Sequence, residues 1–138
     1  MRFVIDTNNI ISAIIREGTS RDILFFPFFK FYTPTFALKE IDKHLSLIQK
    51  KSNLDENDFN ELISLIKSRI TFIPAKILTD FSTLAEEIMY SIDPHDVPII
   101  ACALAVPNEG IWTEDKHFEK QDRIRIWKTK DLVSLLNL

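Results

Sequence analysis

The chain has 138 residues, 46% of them hydrophobic and 27% charged, with a net charge of −3; this is the make-up of an ordinary globular domain able to bury its own core. A single cysteine, Cys102, excludes an internal disulfide or a thiolate metal cluster, and no apolar run reaches the ~20 residues of a bilayer span. The mildly negative balance excludes nucleic-acid binding driven mainly by a strong basic field, but it leaves room for an acidic pocket neutralised by metal ions.

In chain order, Arg2-Phe3-Val4-Ile5 is a short apolar run of the kind that forms a buried parallel strand. It stops at Asp6-Thr7-Asn8, polar residues suited to cap a helix whose apolar stripe is Ile10, Ile11, Ile14 and Ile15, ending at Gly18. Thr19 to Phe26 reads as a second short helix begun by a Ser/Thr cap, and Lys30 to Thr33 as a second strand closed by Pro34. One helical period covers Thr35 to Lys51, with Leu38, Ile41, Leu45 and Ile48 on one face. Another helix starts near Asp55 and places Phe59, Leu62, Ile63 and Ile66 on its apolar side.

Ile70 to Ile73 is the third strand, stopped by Pro74, and Ile77, Phe81, Leu84, Ala85 and Ile88 mark a further helix. Val97 to Val106 is apolar on nearly all sides, which predicts a buried helix. Gly110 to Thr113 and Ile124 to Trp127 are the fourth and fifth strands, and Asp131 to Leu136 closes the chain as a helix. Strands alternating with helices predict a three-layer α/β/α sandwich around a central, mainly parallel five-stranded sheet. No linker, repeat or low-complexity tract interrupts it, so one domain over residues 1–138 is expected. The opening residues carry no cleavage pattern of a signal peptide, so the expected location is cytoplasmic, with no membrane contact.

Four acids stand at the ends of these apolar segments: Asp6, Glu40, Asp96 and Asp115. Ligands in open α/β sheets collect beyond the carboxyl ends of the strands. Asp6 and Asp115 fall on that edge, and Asp96, which begins the buried helix, reaches the same crevice. Singly each acid has a plain structural use. Asp6 and Asp96 suit helix N-caps, Asp115 suits a turn, and Glu40 suits an ion pair with Lys43 or His44 one helical turn away. Jointly they point elsewhere, because converging carboxylates raise one another's pKa and need a cation to stay ionised. Carboxylate oxygens are hard ligands suited to Mg²⁺ or Mn²⁺. Such an ion activates water and offsets charge in phosphodiester hydrolysis.

The segments Val4-Ile5-Asp6-Thr7-Asn8, Leu38-Lys39-Glu40-Ile41, Asp93-Pro94-His95-Asp96 with Ile99-Ile100-Ala101-Cys102-Ala103, and Thr113-Glu114-Asp115-Lys116-His117-Phe118 resemble the four motif blocks of the PIN domain family. Their order and spacing fit over essentially the whole chain, the first and last blocks being the most specific. The resemblance implies a metal-dependent endoribonuclease of the kind found as the toxin of toxin–antitoxin pairs, with RNA as substrate, a small antitoxin protein as partner and a homodimer as the common assembly. It implies Asp6, Glu40, Asp96 and Asp115 as ligands of Mg²⁺ or Mn²⁺, Asn8 and Thr113 as polar support, and Asp93 and Glu119 as reserve acids. Glu114 departs from the pattern, since many relatives carry an uncharged or basic residue there.

Two other functions compete. One is a catalytically silent member of the same fold acting as a binding module, which the presence of all four acids disfavours. The other is a phosphotransfer enzyme using strand-end aspartates. A phosphatase of that type wants a second Asp two residues after Asp6, where Asn8 stands, and a receiver domain wants paired acids after its first strand.

Other features are weaker. His95 and His117 lie within two residues of proposed ligands, but without cysteine partners they put zinc well below magnesium or manganese. The run Phe25-Phe26-Pro27-Phe28-Phe29-Lys30-Phe31 reads first as core packing and second as a dimer or antitoxin face. Two basic groups, Lys39, Lys43, Lys50 and Lys51, then Lys116, Lys120, Arg123, Arg125 and Lys128, serve equally as a solvated face or as phosphate contacts.

Overall fold

The computed structural model describes residues 1–137. Its strands are β1 (Arg2–Ile5), β2 (Lys30–Pro34), β3 (Ile70–Ile73), β4 (Ile111–Trp112) and β5 (Ile126–Trp127). They form one sheet in the order β3-β2-β1-β4-β5, parallel at every pairing. The chain moves outward from β1 to β3 on one side, then returns to lay β4 and β5 on the other. The order therefore reverses between β1 and β4, which opens a crevice at the carboxyl ends of those two strands.

The helices are α1 (Thr7–Ile15), α2 (Thr19–Phe25), α3 (Phe36–Lys43), α4 (Leu45–Ser52), α5 (Glu56–Ser68), α6 (Ala75–Leu78), α7 (Ser82–Met89), α8 (Val97–Ala105) and α9 (Thr129–Leu136). Alternation along β1 divides them between two layers. Phe3 and Ile5 face a core built with Ile10 and Ile14 of α1, Leu24 of α2, Ile41 of α3, Ile48 of α4, Phe59 of α5 and Leu132 of α9. Val4 faces the opposite core, made with Leu78 of α6, Ala85 and Met89 of α7 and Ile100 and Cys102 of α8. Among the described residues, no helix is long and apolar enough to cross a membrane.

The phenylalanine run packs as core except at one position. Phe29 and Phe31 are buried, Phe25 and Phe26 lean on the core from its rim, and Phe28 stays exposed. Phe3 joins them edge-on to Phe29 at 5.2 Å and to Trp127 at 5.4 Å. Arg69, just after α5, donates to the carbonyls of Leu24, Phe26 and Phe29 at 3.0, 2.9 and 3.0 Å. One guanidinium thus satisfies three backbone acceptors where the run turns back toward β2.

The single helix expected over Thr35 to Lys51 is two helices that break at His44, where φ is −113°. The bend lets both Ile41 and Ile48 reach the core beneath α1, whereas Leu45 stays on the surface. The helix expected from Ile77 likewise divides, with a 3-10 turn at Thr79–Phe81 between α6 and α7. The second helix is entered from Gly18, with no Ser/Thr side-chain cap. Gly110, at φ +136°, brings the chain into β4 so close to β5 that a Cβ would stand 2.3 Å from the Arg125 carbonyl oxygen. Only glycine fits there.

Candidate metal centre

The residue after β1 and the residue after β4 meet at the crevice. The register pairs Ile5 with Trp112, so the next step sets Asp6 against Thr113. The Thr113 hydroxyl donates to Asp6 Oδ2 at 2.7 Å, and the Thr113 Oγ1 accepts the Asp115 backbone N–H at 3.0 Å. One fully buried hydroxyl therefore fixes two acids. Asp6 occupies the N-cap position of α1 without making a capping bond, so its side chain serves the crevice and not the helix. Burial pushes its pKa up, opposed first by the Thr113 hydroxyl and then by the nearby amide of Asn8.

Asp96 arrives from the other core layer, at the end of a 3-10 turn, Pro94–Asp96, that feeds α8. It too stands at an N-cap position without a capping bond. It is only 8% exposed, and its Oδ2 is buried with no hydrogen-bond partner. Burial, then the negative charges of Asp93, Asp6 and Asp115, push its pKa up to about 7. An orphaned carboxylate oxygen at this depth costs stability unless a cation or a proton meets it.

Three further acids close the ring. Asp93 caps the 3-10 turn by accepting the His95 N–H at 3.0 Å, a bond that holds its carboxyl below the usual range. Asp115 caps the turn over Lys116–Lys120 by accepting the His117 N–H at 2.9 Å. Glu40 reaches in from α3, with its Oε1 4.0 Å from His95 Nε2. A cavity of about 220 Å³ is lined by Asp6, Asn8, Glu40, Asp93, Asp96 and Asp115.

Thus all four acids expected from the sequence line one cavity, together with Asn8 and Asp93, and Thr113 stands behind Asp6. They are not equally close. Among the described residues, the ligand atoms drawn within 4.8 Å of one another belong to Asp93, Asp96 and His117. Asp6, Glu40 and Asp115 line the same cavity outside that close set. An orphaned buried oxygen among hard donors fits a divalent cation. Next to it, an apolar cavity of about 240 Å³ shares Phe36 as a wall and is otherwise bounded by residues such as Pro34, Leu78 and Val97.

Some working residues lie off the expected positions. Asn9, not Asn8, is the buried amide, and its Nδ2 donates to the Trp112 carbonyl at 3.3 Å, tying α1 to β4. Thr33 is fully buried and donates to the Ile5 carbonyl at 2.9 Å, holding the last residue of β1. His117 was the least expected participant, its Nδ1 lying 3.3 Å from Asp93 Oδ2 and 3.6 Å from Asp115 Oδ1. Its nearness to Asp115 in sequence was the one available sign. Glu114 and Glu119 serve the scaffold. Glu114 accepts the Thr129 N–H at the start of α9, and Glu119 pairs with Lys128 at 3.2 Å.

Comparison with known families finds a match to the PIN domain over residues 4–136. No curated protein and no solved structure matches the chain.

Proposed function

The chain belongs to the PIN domain family, whose members are generally metal-dependent nucleases, and on that premise we propose that it is an endoribonuclease requiring Mg²⁺ or Mn²⁺. The observation that carries the proposal is the buried, partnerless Oδ2 of Asp96, a residue that lines one cavity with four more acids. A fold does not retain so costly an arrangement for capping, since neither Asp6 nor Asp96 makes a capping bond.

In this proposal Asp6, Glu40, Asp96 and Asp115 hold the metal, with Asp93 as a supporting acid. The cation supplies water activation and offsets the charge that builds on phosphorus. The protein's part is to position. Thr113 keeps Asp6 and Asp115 in register, Asn9 locks α1 to β4, and the Asp93 cap sets the turn that presents Asp96. Hydrolysis would proceed by attack of water and leave a 5′-phosphate. The motif blocks also support one nuclease domain over residues 1–138, a toxin role in the cytoplasm opposed by a small antitoxin protein, and assembly as a homodimer.

The test is cleavage of a fluorescent single-stranded RNA by wild type and Asp96→Asn, with Mn²⁺, with Mg²⁺ and with chelator. Cleavage by wild type alone, and only with metal, supports the proposal. Equal cleavage by both proteins overturns it.

A further inference from the structure

We infer that His117, together with Asp93 and Asp96, makes a mixed nitrogen–oxygen cation site, so that an imidazole takes part in binding the metal and biases the protein toward Mn²⁺ over Mg²⁺. The inference rests on the metal-dependent reading of the same cavity and adds to its four acids two ligands, the His117 imidazole and the carboxylate of Asp93, there assigned only a supporting part.

Two independent observations carry it. The first is the spacing, with ligand atoms of Asp93, Asp96 and His117 all within 4.8 Å of one another. Ligands about 2.1 Å from one ion stand roughly 3 to 4 Å apart, so small side-chain rotations close the set. The second is Asp96 itself, 8% exposed, whose Oδ2 is buried without a hydrogen-bond partner.

The local chain holds the imidazole in place. Asp115 Oδ1 accepts the His117 backbone N–H, and the next residue, Phe118, is fully buried and anchors the turn in the second core layer. The ring is therefore tethered on both sides while its Nδ1 points at Asp93 Oδ2, 3.3 Å away. Asp93 is fixed in turn by its bond from the His95 N–H. His95 differs. Its own imidazole is more exposed, stands 4.0 Å from Glu40, packs edge-on against Phe36 and takes no place in the close cluster.

The chemistry follows from ligand type. Mg²⁺ favours oxygen donors and keeps its waters, whereas an imidazole nitrogen suits the later divalent metals best, and Mn²⁺, a transition metal that also takes oxygen donors, accepts it more readily than Mg²⁺ does. Replacing one oxygen donor by nitrogen thus shifts preference without excluding Mg²⁺.

The experiment is pulsed electron paramagnetic resonance on the full chain loaded with Mn²⁺ alone, read for coupling to a directly bound ¹⁴N. The expected result is a nitrogen coupling in wild type that survives His95→Ala and disappears in His117→Ala. The Mn²⁺ dissociation constant should rise about tenfold in His117→Ala, with a smaller change for Mg²⁺. Circular dichroism checks the fold, and His117→Gln, which keeps a polar side chain, should also lack the coupling. Bound Mn²⁺ without nitrogen coupling, or coupling that persists in His117→Ala, overturns the inference and leaves the nuclease proposal standing. Nitrogen coupling in a protein that cleaves no RNA upholds the inference and removes the nuclease. Failure to bind Mn²⁺ overturns both.

Discussion

The hydroxyl of Thr113 donates to Oδ2 of Asp6 across a separation of 107 residues, and the Thr113 hydroxyl oxygen itself accepts the Asp115 backbone N–H. This one side chain therefore ties the Asp6 carboxylate to the stretch of backbone that carries Asp115. Thr113→Val keeps the shape and removes the donor, leaving a buried carboxylate oxygen short of a partner. The expected cost is about 1 to 3 kcal/mol, read by urea unfolding, with weaker Mn²⁺ binding. Thr113→Ser should restore most of both.

Asp6→Asn and Asp96→Asn should each lower metal-dependent RNA cleavage by at least about 100-fold, since losing a charged ligand removes several kcal/mol of stabilisation around the metal. Circular dichroism should show an intact fold. Full activity in either variant would refute the site.

The metal-free protein should lose stability as pH rises. Asp96 has its pKa pushed up to about 7 from 3.8, so between those values the folded chain holds a proton that the unfolded chain has released. The contribution of Asp96 is therefore full below about pH 4, falls as pH climbs to about 7, and is level above it, a total of about 4 kcal/mol at most. Asp96→Asn should flatten that slope and be the more stable protein at pH 8. Thermal unfolding with chelator at several pH values measures it.

Adding Mn²⁺ should act in the opposite sense. The ion needs deprotonated ligands, so the rise in melting temperature on adding metal should be large at pH 8 and shrink toward pH 5 as protons compete. A metal-induced shift that does not depend on pH would contradict the role assigned to Asp96.

Gly110→Ala tests the scaffold away from the acids. A methyl group there meets the Arg125 carbonyl oxygen and the Trp127 ring at a backbone angle that side chains rarely adopt. A loss of about 2 to 4 kcal/mol in chemical denaturation is expected. Arg69→Ala, which strips the donor from three carbonyls, should cost a similar amount.

Asp6, Asp96 and Asp115 are legible in the sequence because they stand where apolar segments stop or begin, which marks strand ends and buried helix starts. Glu40, by comparison, sits inside α3, and only the resemblance of its motif block marks it. What stays hidden depends on partners far along the chain. Asn8 and Asn9 are indistinguishable until β4 arrives to take the Asn9 amide. The break at His44 carries neither glycine nor proline, and only the need to bury Ile41 and Ile48 together under α1 reveals it. His117 is marked in the sequence only by its nearness to Asp115, because the 3-10 turn that brings it beside Asp93 follows from no periodic pattern. Cys102, by contrast, behaves as an apolar position in a helix should, with burial pushing its thiol up to about 12.

The central strand of this sheet waits for one of its neighbours across most of the domain. β1 leaves the ribosome well before β4, and one flank of it finds its partner only when Ile111 and Trp112 have been made. Asp6 gains Thr113 at the same late moment. Loop closure over so long a span is slow and brings no reward until both ends exist. A growing chain therefore carries its acids dispersed, and their convergence is withheld until β4 and the residues after it have been made. Under the proposed ribonuclease activity, such a delay would spare the message from which the protein itself is being read.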